Sequence, residues 1–283
     1  MDIPHPTFTD FGKEEIIIPT SFNLAHAHER DNHIHFYPDG HIYTYDQQRL
    51  TPVSTVISTW FSAFNAELAA ERKATPQHSK EQYIEEWACN GAKARHIGTF
   101  MHSQIERSLL GETPEACCSF EFHGNYVNTT ETIRIDTELT MFQHYLQACN
   151  PIPYRTEWRI FDEEHSLAGT IDFLARDAEG HFVMYDWKRS NKIVTDEPMG
   201  GTRLHIYNEY GRRAYSELSH LHDTSYTHYC LQQNLYRYML KQHYGIDVEK
   251  MFLVVLHPCN KDFHCVEVPV LDNEVAIILS HLL

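Results

Sequence analysis

Two neighbouring strand-like stretches constrain this chain more than any other feature. They read SLAGTIDFLARD and GHFVMYDWKRS, with a short polar turn at residues 177–180 between them. Runs of β-branched and aromatic residues flanking such a turn predict an antiparallel hairpin. If the hairpin is centred near Glu179, Asp172 lies opposite Asp186, with Cβ atoms about 4.5–5.5 Å apart. The sequence therefore predicts two facing carboxylates on adjacent strands.

A lysine belongs to the same predicted surface. Lys188 follows Asp186 by two residues, so both side chains project from one face of the strand. Two close carboxylates repel each other unless a cation lies between them, and oxygen ligands suit Mg²⁺ or Mn²⁺. Such an ion can polarise a phosphate and activate water, while the lysine orients that water or stabilises developing charge. The alternative is an ordinary cross-strand salt bridge with one spare carboxylate.

The opposite face of these two strands is predicted to be apolar. Alternation assigns four residues to it: Ile171, Phe173, Tyr185 and Trp187.

The rest of the chain divides into three zones that we expect to form one compact unit. Residues 1–50 contain a hairpin signal at His33–Asp46, built around Pro-Asp-Gly. Residues 51–150 show helical spacing, and residues 151–283 carry the predicted strands and two later helices. This order predicts an α/β (α+β) fold in which helices flank a mixed β-sheet and the N-terminal portion is helical.

Individual helices follow from apolar spacing. They are predicted at Val53–Glu71, Ser79–Leu110, Glu131–Cys149 and Tyr226–His243, with a polar insertion at residues 191–224.

Composition points to an intracellular, soluble protein of the cytoplasm or nucleus. Hydrophobic residues make up 42% of the chain, but no apolar run approaches the length of a membrane span. Residues 1–20 resemble neither a signal peptide nor a transit peptide. The net charge of −16 is unfavourable for binding nucleic acid, although bound divalent ions and a local basic surface can reverse the field near a site.

Neither cysteines nor histidines form a recognisable metal pattern. The seven cysteines are scattered without a C-x-x-C pair, which fits neither a disulfide framework nor zinc and is typical of buried free thiols. Most of the 21 histidines are interpreted as surface or structural residues.

The motifs together resemble the PD-(D/E)XK nuclease superfamily, particularly its RecB-type exonuclease branch. AGTIDF and YDWKRS are similar to its G-x-x-D and D-x-K motifs. GTFMH, ending at His102, is similar to the helix that carries a metal-binding histidine, and QQNLY, Gln232 to Tyr236, is similar to Q-x-x-x-Y. Four motifs in the same order cover about half of the chain, residues 97–245.

The resemblance implies a restriction-endonuclease-like core and a Mg²⁺- or Mn²⁺-dependent DNA exonuclease acting on single-stranded or frayed ends in repair, recombination or replication. It implies metal ligation by four groups: His102, Asp172, Asp186 and the backbone carbonyl of Trp187. Lys188 would assist water attack, with Gln232 and Tyr236 holding it or a phosphate. Only Cys259 and Cys265 follow the Q-x-x-x-Y helix, so we expect no iron–sulfur cluster.

Further residues are weaker candidates. Glu157 is a candidate for binding a second ion or orienting ligands, and a solvated strand face is nearly as good an explanation. Candidates for substrate binding are Glu106, one helical turn after His102, together with Arg155, Arg159, Arg189 and Ser190.

Several alternatives remain open at this point. A lone helical histidine commonly packs or faces solvent, and the Q-x-x-x-Y helix could merely pack on the sheet. The chain could be a structure-specific endonuclease or a catalytically silent nucleic-acid-binding module. The resemblance also leaves the oligomeric state open, because ring-shaped and monomeric relatives both occur.

Overall fold

A computed structural model describes residues 21–282. The first twenty residues, in which we looked for a targeting peptide, lie outside this range. The helices are α1 Ser21–Ala25, α2 Val53–Thr59, α3 Ala66–Lys73, α4 Lys80–Leu109, α5 Asp136–Cys149, α6 Ser225–Tyr244 and α7 Asp272–Ser280. Two short 3₁₀ helices span Glu29–Asn32 and Ser216–Leu218.

Most strands belong to one mixed sheet. The strands are β1 Ile34–Tyr37, β2 Ile42–Tyr45, β3 Gln48–Pro52, β4 Cys117–His123, β5 Asn128–Arg134, β6 Ile152–Asp162, β7 Leu167–Arg176, β8 Phe182–Lys188, β9 Val194–Asp196, β10 Thr202–Leu204, β11 Val248–Val255 and β12 His264–Glu267. The large sheet has the order β1-β2-β3-β7-β8-β11-β12, and β6 also pairs with β7. The predicted mixed α/β architecture is confirmed.

Helices cover both faces of this sheet. Leu174 and Met184 face the cluster formed with α2, α6 and α7. Phe173 and Tyr185, their neighbours in sequence, face the cluster formed with α4 and α5. Alternating side chains of a strand point to opposite faces, so a central strand buried on both sides reads as nearly continuous apolar sequence. Ile171 lies with the α6 cluster rather than with Phe173, so the strict alternation expected for these strands is broken at Asp172.

The two edges of β7 are used differently. One edge pairs with β6 over almost its whole length. The other edge pairs with β3 only at Leu167 and Ala168, and with β8 only from Phe173 to Arg176. Residues 169–172 have no ladder partner on that edge among the described strands. This opening in the sheet is where the candidate site forms.

Two helix predictions were wrong in their bounds. The helix predicted at Val53–Glu71 is interrupted after Thr59, because Trp60 and Phe61 turn into the core and Asn65 caps a new helix through the N–H of Leu68. The helix predicted from Glu131 begins only at Asp136, since residues 128–134 form β5 and pair with β4.

Two further predictions concern the cysteines and the possibility of a membrane-spanning helix. All seven cysteines are free, but only Cys89 and Cys230 are buried, so the interpretation of buried thiols was wrong for the others. No helix within residues 21–282 has the length and apolarity that crossing a membrane requires.

The zone boundaries at residues 50 and 150 stay predictions, although β3 of the first zone joins the sheet of the third.

Candidate metal centre

The site begins where β7 and β8 stop pairing. Their register, Phe173 opposite Tyr185, places Asp172 opposite Asp186 at the next step. There the ladder ends, and the backbone N–H of Trp187 donates to Asp172 Oδ2 at 2.9 Å. A side-chain carboxylate thus takes the position of a backbone acceptor. It fixes Asp172, which is only 9% exposed, against the next strand.

A histidine from α4 completes the contact. His102 Nε2 lies 2.8 Å from the carbonyl oxygen of Trp187, and His102 Nδ1 lies 3.5 Å from Asp172 Oδ2. Burial lowers the pKa of His102 to about 4, with Lys188 adding to the effect. The imidazole is therefore neutral at physiological pH, which is the form that binds metal ions.

Glu157 approaches from β6. Its neighbours Thr156 and Trp158 pair with Phe173 and Ile171, so Glu157 stands beside Asp172. The backbone of Glu157 has a φ of 46°. A non-glycine residue in this region costs free energy of order 1 kcal/mol or more and commonly marks a functional position. One ligand atom each of His102, Glu157 and Asp172 lies within 4.8 Å of the others.

Two buried carboxylates at the site compete for a proton. Burial raises the pKa of Asp186 to about 7; Lys188 opposes this shift and Asp172 reinforces it. Burial also raises the pKa of Asp172, against the effects of Lys188 and the Trp187 N–H. Burial is the main cause of both shifts, because it disfavours the charged form of a carboxyl group. A cation would relieve both.

Lys188 supplies one such cation. Its Nζ lies 2.7 Å from Asp186 Oδ2 and 4.2 Å from the ring centroid of Tyr229 on α6. Burial alone would lower the pKa of Lys188, but Asp186 and Asp172 raise it above its usual value. The ammonium therefore stays charged. The aromatic face adds a cation–π contact that favours this position.

These residues fit a divalent cation. Asp186 Oδ2 is a buried anionic oxygen that lies 2.7 Å from the Lys188 ammonium. His102 Nε2 lies at hydrogen-bond distance from the Trp187 carbonyl, which can only accept, so Nε2 donates and the neutral ring leaves Nδ1, on the Asp172 side, as the nitrogen that would hold an ion. Mixed nitrogen and oxygen donors suit Mn²⁺ as well as Mg²⁺.

Gln232 and Tyr236 lie on the other side of β7. The Gln232 side-chain amide donates to Tyr236 Oη at 3.1 Å, one helical turn away on α6. The Tyr236 ring packs on Gly169, where an added Cβ would lie 2.6 Å from Tyr236 Cζ. Burial raises the pKa of Tyr236 well above its usual value, so its hydroxyl remains protonated. The glycine of the G-x-x-D motif thus makes room for the tyrosine of the Q-x-x-x-Y motif.

Two arginines predicted to bind substrate are engaged elsewhere. The buried Arg155 donates from Nη1 to Asp31 Oδ2 and to the carbonyl of His26, each at 2.8 Å, which ties the N-terminal segment to β6. Arg189 Nε donates to the buried Glu138 of α5 at 2.7 Å. Because buried ion pairs are costly to break, we expect both arginines to stabilise the fold rather than to bind a substrate phosphate.

The remaining predicted residues have less decisive positions. Glu106 is half-buried on α4, one turn after His102. The guanidinium of Arg159 lies 5.3 Å from the ring centroid of Phe36. Ser190 Oγ accepts from the N–H of Lys192 and shapes the turn after β8. Their roles in substrate binding stay predictions.

The sequence analysis did not identify two residues of this site. Tyr43 of β2 is buried, and its hydroxyl lies 2.9 Å from Thr170 Oγ1 on the unpaired edge of β7. Nothing local in the sequence marks it, because its neighbourhood depends on β1–β3 joining the sheet. Tyr229 was recognisable: it precedes Gln232 by three residues and so shares its helix face.

Comparison with known proteins adds little to this geometry. No protein-family model matches the chain, and no curated protein matches it. A solved structure titled "Crystal structure of SSO0001" is similar over 82% of this chain and 73% of its own, with 11% identity and a TM-score of 0.31. A likeness at that level carries no argument about function.

Replacing Gly169 tests its packing against Tyr236. We expect Gly169→Ala to lower the free energy of unfolding by about 1–3 kcal/mol, because the new Cβ overlaps a buried ring. Urea titration measures this. Gly98→Ala, in α4 with nothing within 4 Å of the added Cβ, should leave stability unchanged or raise it. Gly169→Ala should add little to the cost of Tyr236→Ala; equal costs in both backgrounds would contradict the contact.

Metal affinity should depend on pH through Asp186. With a pKa of about 7, Asp186 must lose a proton before it can bind a cation, whereas His102 has already lost its proton above pH 5. Mn²⁺ affinity measured by calorimetry should therefore rise about tenfold per pH unit between pH 5.5 and 7 and flatten above. Asp186→Asn should weaken binding and reduce this slope, while exposed Asp39→Asn should not. A pH-independent affinity below pH 7 would exclude this linkage.

Proposed function

We propose that this protein is a Mg²⁺- or Mn²⁺-dependent deoxyribonuclease that hydrolyses phosphodiester bonds, working as an exonuclease on single-stranded or frayed ends. One observation carries the proposal: the Lys188 ammonium is held on Asp186 directly beside the His102, Glu157 and Asp172 cluster. A charged lysine beside a divalent cation would stabilise the negative charge that develops on a phosphate during hydrolysis.

The metal would be held by His102, Asp172, Asp186 and the Trp187 carbonyl, with Glu157 within reach of the same space. When bound, it supplies a Lewis acid for a phosphate oxygen. The protein holds these donors close together in a largely buried position. The Trp187 N–H orients the Asp172 carboxylate, and the Thr156 hydroxyl donates to the Asp172 carbonyl at 2.9 Å.

Lys188 acts as a fixed positive charge. Asp186 holds its ammonium on one side, and the Tyr229 ring lies on another. Because it remains protonated, it can donate hydrogen bonds to a phosphate oxygen or to an attacking water, but it cannot serve as a general base at neutral pH. Its role is to orient water and to stabilise negative charge as the transition state forms.

The Gln232–Tyr236 pair offers neutral polar groups behind the unpaired edge of β7. With its pKa raised, the Tyr236 hydroxyl remains a donor, and the Gln232 amide that donates to it has a second N–H for another acceptor. We infer that this pair and Lys188 contact the same substrate phosphate.

The choice of DNA and of end-dependent cleavage rests on the RecB-type resemblance of the four motifs. A structure-specific endonuclease and a silent nucleic-acid-binding module are the competing functions. All three of Asp172, Asp186 and Lys188 are present and in contact, which favours an active enzyme over the silent module.

Replacing Lys188 tests the proposed activity. End-labelled linear and circular single-stranded DNA would be incubated with Mg²⁺, Mn²⁺ or EDTA. We expect metal-dependent loss of the linear substrate only, reduced about 100-fold or more by Lys188→Met, because charge stabilisation of the transition state is lost. Lys192→Met, an exposed lysine four residues later, should cleave at the wild-type rate.

The outcomes separate the three functions. Cleavage of the circle would establish an endonuclease, since a circle has no ends. Absence of cleavage with either metal would favour the silent module. Thermal unfolding of Lys188→Met shows whether the variant remains folded.

A further inference from the structure

Exposed aromatic rings are concentrated between β8 and α6. Tyr207, Tyr210 and Tyr215 are 70%, 81% and 51% exposed. Tyrosine rings bury apolar surface when they can, so rings this exposed in one short segment suggest a surface that contacts a partner. We call residues 202–215 the tyrosine loop.

The charge of the tyrosine loop is opposite to that of the whole protein. Arg203, Arg212 and Arg213 are exposed within it, with Glu209 as its one acidic residue, whereas the chain carries a net charge of −16. The Arg212 guanidinium lies 5.8 Å from the ring centroid of Tyr210. Positive charge beside exposed rings complements a phosphate backbone that carries stackable bases.

Hydrogen bonds and a ring contact fix the backbone of the tyrosine loop. Asn208 Oδ1 accepts from the N–H groups of Tyr210 and Arg212, and its amide donates to the carbonyl of Asp223 at 2.7 Å. The Tyr207 ring meets His222 edge-on at 5.0 Å. Because these contacts fix the backbone before any partner arrives, binding costs less conformational entropy.

A chain of contacts connects the tyrosine loop to the candidate metal centre. Asn208 of the loop donates to the carbonyl of Asp223, and the Asp223 carboxylate accepts from His228 of α6 at 3.0 Å. The next residue of α6, Tyr229, contacts the Lys188 ammonium. A strand lying on the tyrosine loop therefore has a short path to the site.

We propose that the tyrosine loop binds single-stranded DNA, with Tyr207 and Tyr210 stacking on bases and Arg203 and Arg212 contacting phosphates. Arg213 instead supports the loop, since its Nη1 donates to the carbonyls of Ser219 and His220. This proposal rests on the proposed function, because it names the surface that delivers a substrate strand to the same site. A duplex, whose bases are already stacked, gains nothing from these rings.

The test is fluorescence anisotropy with labelled oligo(dT) and a duplex of equal length, in EDTA so that neither is cut. We expect Tyr207→Ala/Tyr210→Ala to weaken oligo(dT) binding at least about tenfold and duplex binding less than about twofold. Tyr207→Phe/Tyr210→Phe should retain binding, because phenyl rings still stack. Tyr126→Ala, at a 52% exposed tyrosine between β4 and β5, is the matched control and should change nothing.

Metal-dependent hydrolysis of methyl p-nitrophenyl phosphate, a diester without bases, separates this proposal from the proposed function. The alanine double variant should hydrolyse it at the wild-type rate. The nuclease proposal fails if the wild type hydrolyses neither this diester nor DNA. The tyrosine loop proposal still stands in that case if the wild type binds oligo(dT) and the double variant does not. Equal oligo(dT) binding by wild type and double variant, or a protein partner displaced by the same substitutions while DNA binding is unchanged, would overturn the tyrosine loop proposal.

Discussion

The hydrogen bond from the Trp187 N–H to the Asp172 carboxylate determines the arrangement of the whole site. It forms where β8 leaves the ladder with β7, so a side chain replaces the backbone acceptor that an uninterrupted sheet would supply. This exchange satisfies a buried N–H, orients Asp172, and leaves the Trp187 carbonyl directed at His102. Helices on both faces of the sheet can then deliver side chains to one opening.

The charges in that opening depend on one another. Asp172 and Asp186 are both buried, burial raises the pKa of each, and Asp172 raises that of Asp186 further. Lys188 offsets part of this cost, and burial leaves His102 neutral. Such a cluster is a poor stabiliser of the fold, because desolvation offsets most of the attraction between the charges. The proposed binding of a cation and an anionic substrate would account for its arrangement.

Much of this arrangement could be predicted from the sequence because strands repeat every two residues. That period predicted Asp172 opposite Asp186 with Lys188 on the same face; the ladder ends one step earlier, at Phe173 opposite Tyr185, and Lys188 forms an ion pair with Asp186. His102 came from the resemblance alone, since nothing in a helical pattern says which part of the sheet a helix will cross. Arg155 shows the converse limit: its partners at residues 26 and 31 are distant in sequence, so its burial could not be anticipated.

The boundaries that failed have a similar cause. Residues 128–134 form β5 because they pair with β4. Helix α2 ends before Trp60 because the Trp60 ring packs in the core. Tertiary partners overrode local propensity in both places. The tyrosine loop belongs to the same class of features, since its exposed rings are visible only once the surrounding chain is folded.

We propose that a divalent cation binds between α4 and the ends of β7 and β8 that no longer pair. Anomalous diffraction from crystals soaked in Mn²⁺ would locate such an ion. We expect one strong peak in contact with His102, Asp172 and the Trp187 carbonyl, lost in crystals of Asp172→Asn. A fully folded crystal structure with no peak at this position at millimolar Mn²⁺, or with the peak unchanged in Asp172→Asn, would contradict it.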